Sequence, residues 1–349
     1  MKLTRRDMAL YSALFGTGLF AGRAALVGAQ DASPAATPES GGGGGGSSET
    51  STPSVAASAV VSEDGTEVTI THSQGETTIA VNPEKVIAFD MASVDTLDTL
   101  GIAITGLPKA SATGPFEKFA ADEYVDAGTL FEPDYEAVFA AEPDLIIVAG
   151  RSSAAYAELA KIAPTIDLSG AGTDTVEDLR ANVLTIGAIF GKTSEAEAAI
   201  AAIDDKVATI KAEAEDAGNA LVLMATGGSI TAVAAQGGRG NRGGLIYNTI
   251  GLPIVVENIE EATHGEAVSF ELVLEWNPDW LFVIDRDAAI GTEDAQPAEA
   301  ILDNDIIHQT SAYTNDQIVY LDGYNWYIVG NGLTTVTAML DELETALVK

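Results

Sequence analysis

Two stretches of the chain can be laid over each other: Glu136-Ala-Val-Phe-Ala-Ala-Glu-Pro143-Asp-Leu-Ile-Ile-Val-Ala-Gly-Arg151 and Glu271-Leu-Val-Leu-Glu-Trp-Asn-Pro278-Asp-Trp-Leu-Phe-Val-Ile-Asp-Arg286. Glu, Pro-Asp and Arg fall at the same offsets in both. Each reads as an amphipathic helix, a Pro-Asp break that stops it, and an apolar run forming a buried strand. In such an α/β unit the helix begins, and the following strand ends, at the same edge of the sheet. Glu136 is therefore expected to share an edge with Arg151, and Glu271 with Arg286. Ligands of open α/β sheets bind in the crevice outside the carboxyl ends of the strands. Two matching units thus imply two lobes facing one cleft.

The alternation continues outward from these units. Thr66–His72 and Glu76–Val81 read as a short hairpin, Lys85–Phe89 as a buried strand, and Ser93–Leu100 as a helix closed by Gly101. The pattern implies an open parallel sheet with helices on both faces. Between the units, Thr175–Phe190 and Ser194–Asp216 carry Ala, Ile, Val and Leu at helical spacing, punctuated by Gly191 and Gly218. A helix of roughly 20 residues spans about 30 Å, enough for a stiff strut between the lobes. Asn219–Met224 then starts the second sheet. The expected organisation is an N-terminal α/β lobe over 60–174, an inter-lobe helical segment over 175–217 and a C-terminal α/β lobe over 218–349.

Ahead of the lobes, residues 1–29 have the layout of a signal peptide: Lys2, Arg5 and Arg6, the mostly apolar run Met8–Gly22, and Val27-Gly28-Ala29. The pair Arg5-Arg6 resembles a twin-arginine export signal, a route for folded proteins. Arg23 cuts the apolar run short of the roughly 20 residues that a spanning helix needs. Residues 30–59 are rich in Ser, Thr, Pro and Ala and hold six consecutive glycines, Gly41–Gly46. Such a composition reads as a flexible tether.

The 349 residues are 46% hydrophobic with a mean hydropathy of +0.16, enough for a large core or two ordinary ones. Lys and Arg number 17 against 52 Asp and Glu, a net charge of -35. This removes the broad basic footprint that nucleic acid or anionic membranes require. The absence of Cys excludes disulfides, thiolate nucleophiles, Cys-ligated metals and a lipid anchored on an N-terminal Cys. Three His make a multi-His metal site improbable.

Beyond the signal the arginines are Arg151, Arg180, Arg239, Arg242 and Arg286. Arg151 and Arg286 end strands at the cleft edge. Arg239 and Arg242 lie in the loop Gln236-Gly-Gly-Arg-Gly-Asn-Arg-Gly-Gly244, and Arg180 in a predicted helix. Gathered at one crevice of an acidic chain, such arginines make a local pocket for an anion. The alternative is that each pairs with a nearby carboxylate such as Asp285 or Asp287. The glycine loop fits neither nucleotide-binding pattern in a strand-to-helix setting and reads better as a cleft lining. His264 occupies a loop at the same edge, while His72 and His308 look peripheral. On composition Trp326 and Tyr327 read as packing. No Gly-x-Ser-x-Gly elbow is present, and carboxylates are too numerous for any pair to stand out as acid and base. A binder is the better reading than an enzyme.

Taken together, Phe89-Asp-Met-Ala-Ser-Val-Asp-Thr-Leu, Leu130-Phe-Glu-Pro-Asp-Tyr-Glu136, Pro143–Arg151, Arg242-Gly-Gly-Leu-Ile-Tyr, Thr263-His-Gly, Phe282-Val-Ile-Asp-Arg286, Leu302-Asp-Asn and Trp326-Tyr-Ile-Val-Gly-Asn-Gly-Leu resemble the extracytoplasmic solute-binding proteins of iron-siderophore ABC importers. The likeness spans roughly Thr66 to Lys349 and is nearest to catecholate or petrobactin-type enterochelin uptake proteins. It implies two Rossmann-like α/β lobes joined by a long inter-lobe helix, with the ligand cleft between them and limited hinge motion. It implies that Arg151, Arg242 and Arg286 grip the anionic oxygens of a ferric siderophore, with Arg239 in the same loop and Lys109 adding a positive edge. His264 and Tyr327 are the implied completion of the iron shell. Glu136 and Glu271 resemble the glutamates that dock on permease subunits. The resemblance further implies a monomer with no intrinsic cofactor, exported to the periplasm or the outer face of the cytoplasmic membrane, with iron carried only as the chelate. Gly243 departs from relatives that place an aromatic residue after the loop arginine. Haem or cobalamin binding on the same fold stays open at this point, as does a tethered sensing module or an enzyme.

Overall fold

The computed structural model describes residues 56–171, 174–235, 242–256, 259 and 266–348. The signal and all but the last residues of the tether lie outside them. The chain opens with an antiparallel sheet of β1 (Ser58–Val61), β2 (Glu67–His72) and β3 (Gly75–Ala80) in the order β1-β2-β3. β1 begins at Ser58, two residues inside the stretch that composition assigns to the tether, with Ala57 already buried.

The first lobe follows as β4 (Val86–Ala88), α1 (Met91–Thr99), β5 (Gly106–Leu107), β6 (Val125–Asp126), α2 (Tyr135–Ala141), β7 (Leu145–Val148), α3 (Tyr156–Leu159) and β8 (Thr165–Asp167). Its sheet has the order β6-β5-β4-β7-β8 and is parallel throughout. Strand order reverses beside β4, which makes the carboxyl end of β4 the switch point where such sheets open a crevice. β4 and β7 are buried at every position, as expected for strands covered on both faces.

The inter-lobe segment is a helical hairpin, α4 (Thr175–Ile189) and α5 (Thr193–Ala214), turning at Gly191 with φ of +63°. Arg180 donates to both carboxylate oxygens of Asp204 at 2.6 and 3.1 Å, and a side chain at Gly187 would collide with Ala196. These contacts clamp the two helices antiparallel. At about 1.5 Å per residue, the 22 residues of α5 supply the expected strut, doubled back on α4.

The second lobe contains β9 (Ala220–Thr226), β10 (Ser229–Ala232), β11 (Glu266–Val268), α6 (Phe270–Trp276), β12 (Trp280–Asp285), α7 (Arg286–Ala289), α8 (Ala298–Leu302), α9 (Ser311–Thr314) and β13 (Ile318–Leu321). Its order is β11-β10-β9-β12-β13. β9, β12 and β13 are parallel, but β10 runs antiparallel to both its neighbours. The fully parallel expectation fails here for a local reason. Gly227 and Gly228, at φ of +57° and +75°, form a two-residue turn whose twist suits a hairpin.

The final helix, α10 (Leu333–Leu347), returns to pack on α5 and α1. One buried apolar cluster runs through the inner faces of both sheets, α4, α5 and α10, while each lobe keeps a separate cluster on its outer face. Burying apolar surface is the main favourable term in folding. The lobes are therefore welded along their helical side.

Candidate functional site

The repeated units fold alike. α2 and α6 are capped by Asp134 and Ser269, and each ends on a left-handed residue, Glu142 at φ 49° and Asn277 at φ 47°. The following proline then carries the chain into β7 or β12. Glu136 and Glu271 sit second in their helices and are exposed. Because the strands lead back toward the helix starts, Arg151 and Arg286 emerge at the same edges, as the offsets predict.

Arg151 is aimed by a tight turn. Gly150 takes φ of +42°, its N–H donates to Ser169 Oγ at 2.8 Å, and buried Ser152 accepts from Ala149 N at 3.1 Å. The guanidinium then crosses to the second lobe, donating to the carbonyls of Tyr327 at 2.6 Å and Ile328 at 2.9 Å. Arg286 opens α7, which Asp285 caps through Ala288 N at 2.9 Å. Its Nε donates to the Tyr327 hydroxyl at 2.9 Å and one terminal nitrogen to Thr226 Oγ1 at 3.2 Å. Asp287 is 3.5 Å away, so the carboxylate pairing considered above holds in part for Arg286. Arg180 is spent on Asp204 and Glu177 in the helical hairpin and plays no part at the cleft.

Arg242 precedes a π-helical turn, Leu245–Ile250, anchored where Val222 N donates to Tyr247 Oη at 2.7 Å. Gly243 is required by this packing. A Cβ there would lie 2.5 Å from the Ala234 carbonyl oxygen and 2.9 Å from the Tyr247 ring, so the aromatic expected after the loop arginine has no room.

The three guanidinium groups converge on one ring. Their central carbons lie 4.4 Å (Arg242), 5.4 Å (Arg286) and 5.9 Å (Arg151) from the centroid of Tyr327, within the range of cation–π attraction. Tyr327 belongs to a second π-helical turn, Tyr324–Val329. The packing role suggested by composition holds for buried Trp326, whose indole donates to Glu342 at 3.0 Å, whereas Tyr327 is half-buried at the centre of the arginines. Like charges at close range are costly. Burial pushes the Arg242 guanidinium down to about 10; Tyr327 pulls it back up, and the charges of Arg151 and Arg286 press it down further. An anion among these groups would relieve that repulsion.

Lys109 follows β5 and so lies at the same sheet edge as Arg151. Its side chain has no part in the ring contacts that gather the arginines. His264 and Arg239 lie outside the described residues. His308 pairs with Asp303 at 2.9 Å and stacks on Tyr313, on the surface as expected. His72 is not peripheral: it is 2% exposed, with Nε2 2.9 Å from Thr77 Oγ1 and Nδ1 accepting from Gln74 N at 3.2 Å. It lies on the face of β2 that α4 and β8 cover, and that packing buries it.

Sequence reasoning missed Asp90, Thr226 and Tyr324. Asp90 lies two residues beyond β4 and caps α1 through Ser93 N at 2.8 Å. Burial pushes its carboxyl up, against the Ser93 hydrogen bonds and the Arg151 charge. Tyr324 donates across the lobes to the Ser111 carbonyl at 3.2 Å. The position of Asp90 just after a buried strand was the available signal.

Comparison with known proteins supports the fold. A family model described as periplasmic binding protein matches residues 86–324. The petrobactin-binding protein YclQ of Bacillus subtilis is 39% identical over 291 residues, covering 81% of this chain and 89% of the relative; its crystal structure gives a TM-score of 0.74, covering 81% of this chain and 99% of that one. The ferric-anguibactin-binding protein FatB of Vibrio anguillarum is 32% identical, covering 83% and 91%. A TroA-like periplasmic binding protein from Xylanimonas cellulosilytica is 42% identical with a TM-score of 0.73, covering 78% and 92%. Among the described residues no helix is long and apolar enough to cross a membrane. With two α/β lobes, a helical connection and a match over most of its length, the chain belongs to the periplasmic binding protein family.

Proposed function

We propose that this protein captures a ferric siderophore of the anionic catecholate type and delivers it to an ABC importer. The observation that carries the reading is the convergence of Arg151, Arg242 and Arg286, from both lobes, on the ring of Tyr327. A ferric catecholate combines net negative charge with flat aromatic rings. Guanidinium groups answer both features, since they neutralise the oxygens and stack on the rings. Relatives described as binding petrobactin and ferric anguibactin support the same ligand class.

In this reading the arginines bind the chelate, Arg239 and Lys109 extend the positive rim, and His264 and Tyr327 supply donors where the siderophore leaves iron positions open. Iron is cargo. Glu136 and Glu271, one at the start of the matching helix in each lobe, dock on permease subunits. The protein acts outside the cytoplasm as a monomer.

The test is titration of the purified full-length chain with ferric catecholates, haem and cobalamin, following the fluorescence of Trp276, Trp280 and Trp326. Saturable quenching by a ferric catecholate, and not by haem or cobalamin, is expected. Response to haem or cobalamin alone would overturn the assignment.

A further inference from the structure

We infer that docking on the importer is asymmetric, with an exposed aromatic patch on the first lobe supplying the apolar anchor and the second lobe contributing mainly charge. The inference rests on the reading of Glu136 and Glu271 as docking residues. Phe131, Tyr135 and Phe139 are 66%, 39% and 70% exposed. They flank Glu136: Tyr135 and Phe139 share a face of α2 at i, i+4 spacing, and Phe131 lies just before the helix.

This exposure belongs to a rigid support. Thr129 Oγ1 accepts from Phe131 N at 3.2 Å and Glu132 N at 2.9 Å, and Asp134 caps α2 through Glu136 N and Ala137 N at 3.1 and 3.0 Å. Large aromatics held out in water on a fixed turn and a capped helix are pre-organised for contact, which lowers the ordering cost of binding. Aromatic residues are also the commonest anchors of protein interfaces.

The matched unit in the second lobe lacks the patch. By the repeat offset, Phe270 and Leu274 stand where Tyr135 and Phe139 stand; both are only partly exposed, and Glu266 takes the place of Phe131. The shared Glu136 and Glu271 fit a partner that offers the same cationic surface twice. The chain makes no ion pair with either glutamate among the described residues. A partner surface carrying guanidinium groups beside apolar side chains suits the acidic and aromatic α2, since Arg also stacks on aromatic rings. The net charge of -35 opposes an anionic bilayer as the occupant.

The test uses the full-length protein in cells deleted for the native copy and complemented with variants. Uptake of radioactive iron supplied as ferric petrobactin is measured, with tryptophan quenching by the same chelate and thermal melting of each purified variant as controls. Phe131→Ser with Phe139→Ser is expected to cut uptake at least fivefold while quenching and melting stay as in the wild type, and Leu274→Ser to change uptake less than twofold. Phe139→Tyr is expected to retain uptake. A loss smaller than fivefold in the double variant, or an equal loss in Leu274→Ser, overturns the asymmetry. Glu136→Arg with Glu271→Arg separates the two levels: if it abolishes uptake while the aromatic variant is silent, only the patch is wrong, and if it too is silent, the docking reading itself fails.

Discussion

Arg286 and Tyr327 are 41 positions apart, and the Nε of the first donates to the phenol oxygen of the second at 2.9 Å. The backbone carbonyl of the same tyrosine accepts from Arg151 of the other lobe at 2.6 Å. One residue therefore holds arginines from both halves of the molecule in register. The phenol positions the Arg286 fork, and the ring face offsets part of the repulsion among three cations.

Removing the phenol oxygen tests that role. Tyr327→Phe keeps the ring but leaves Arg286 Nε without its acceptor in a partly buried setting. The unfolding free energy should fall by about 1 kcal/mol, read as a lower urea midpoint with an unchanged slope. An unmoved midpoint would mean that the hydrogen bond contributes nothing net.

Asp95 makes a second link between the lobes. This buried α1 carboxylate accepts from Thr335 N at 2.9 Å and Thr334 Oγ1 at 2.5 Å, so it caps α10, whose own N-cap residue, Gly332, has no side chain to do so. A Cβ on Gly332 would fall inside van der Waals contact of that carboxylate, which its hydrogen bonds hold in place. Gly332→Ala should destabilise the protein by about 1–3 kcal/mol. Thermal melting of the variant at or above the wild-type temperature would contradict the cap.

His72 gives a pH signature. Thr77 Oγ1 donates to the Thr165 carbonyl at 3.0 Å, so it accepts from His72 Nε2–H, and Nδ1 is occupied by Gln74 N–H. Burial pushes the ring below its ordinary 6.5, against the pull of Asp167 on β8; the Tyr156 ring of α3 packs beside it at 5.6 Å. A folded value below the unfolded one means that the unfolded chain binds the extra proton. The contribution is therefore complete above the ordinary value and is lost as pH falls through the depressed one. Urea midpoints at about pH 7.5 and about pH 5.5 should differ more in the wild type than in His72→Gln. Equal differences would remove His72 from the account.

Much of the fold was legible because the two Pro-Asp units repeat at fixed offsets, and Pro stops a helix whatever surrounds it. The antiparallel β10 was missed although Gly227-Gly228 announced the turn, since the parallel pattern on either side dominated the reading. His72 was misplaced because burial of a hairpin face depends on what packs over it, and β2 meets α4 and β8, which are remote in sequence. At the site the arginines stood out by scarcity. Asp90 could not, as one carboxylate among 52 acidic residues, and the exclusion of a side chain at Gly243 depends on a carbonyl that only the folded chain brings close.

The most direct measurement is a fluorescence titration with a ferric catecholate of the wild type beside a variant with Arg151→Ala, Arg242→Ala and Arg286→Ala together. With charged hydrogen bonds worth about 1.5–3 kcal/mol each, the variant should bind about a hundredfold more weakly or worse while its circular dichroism and melting cooperativity remain those of a folded chain. Wild-type affinity in the triple variant would contradict the account.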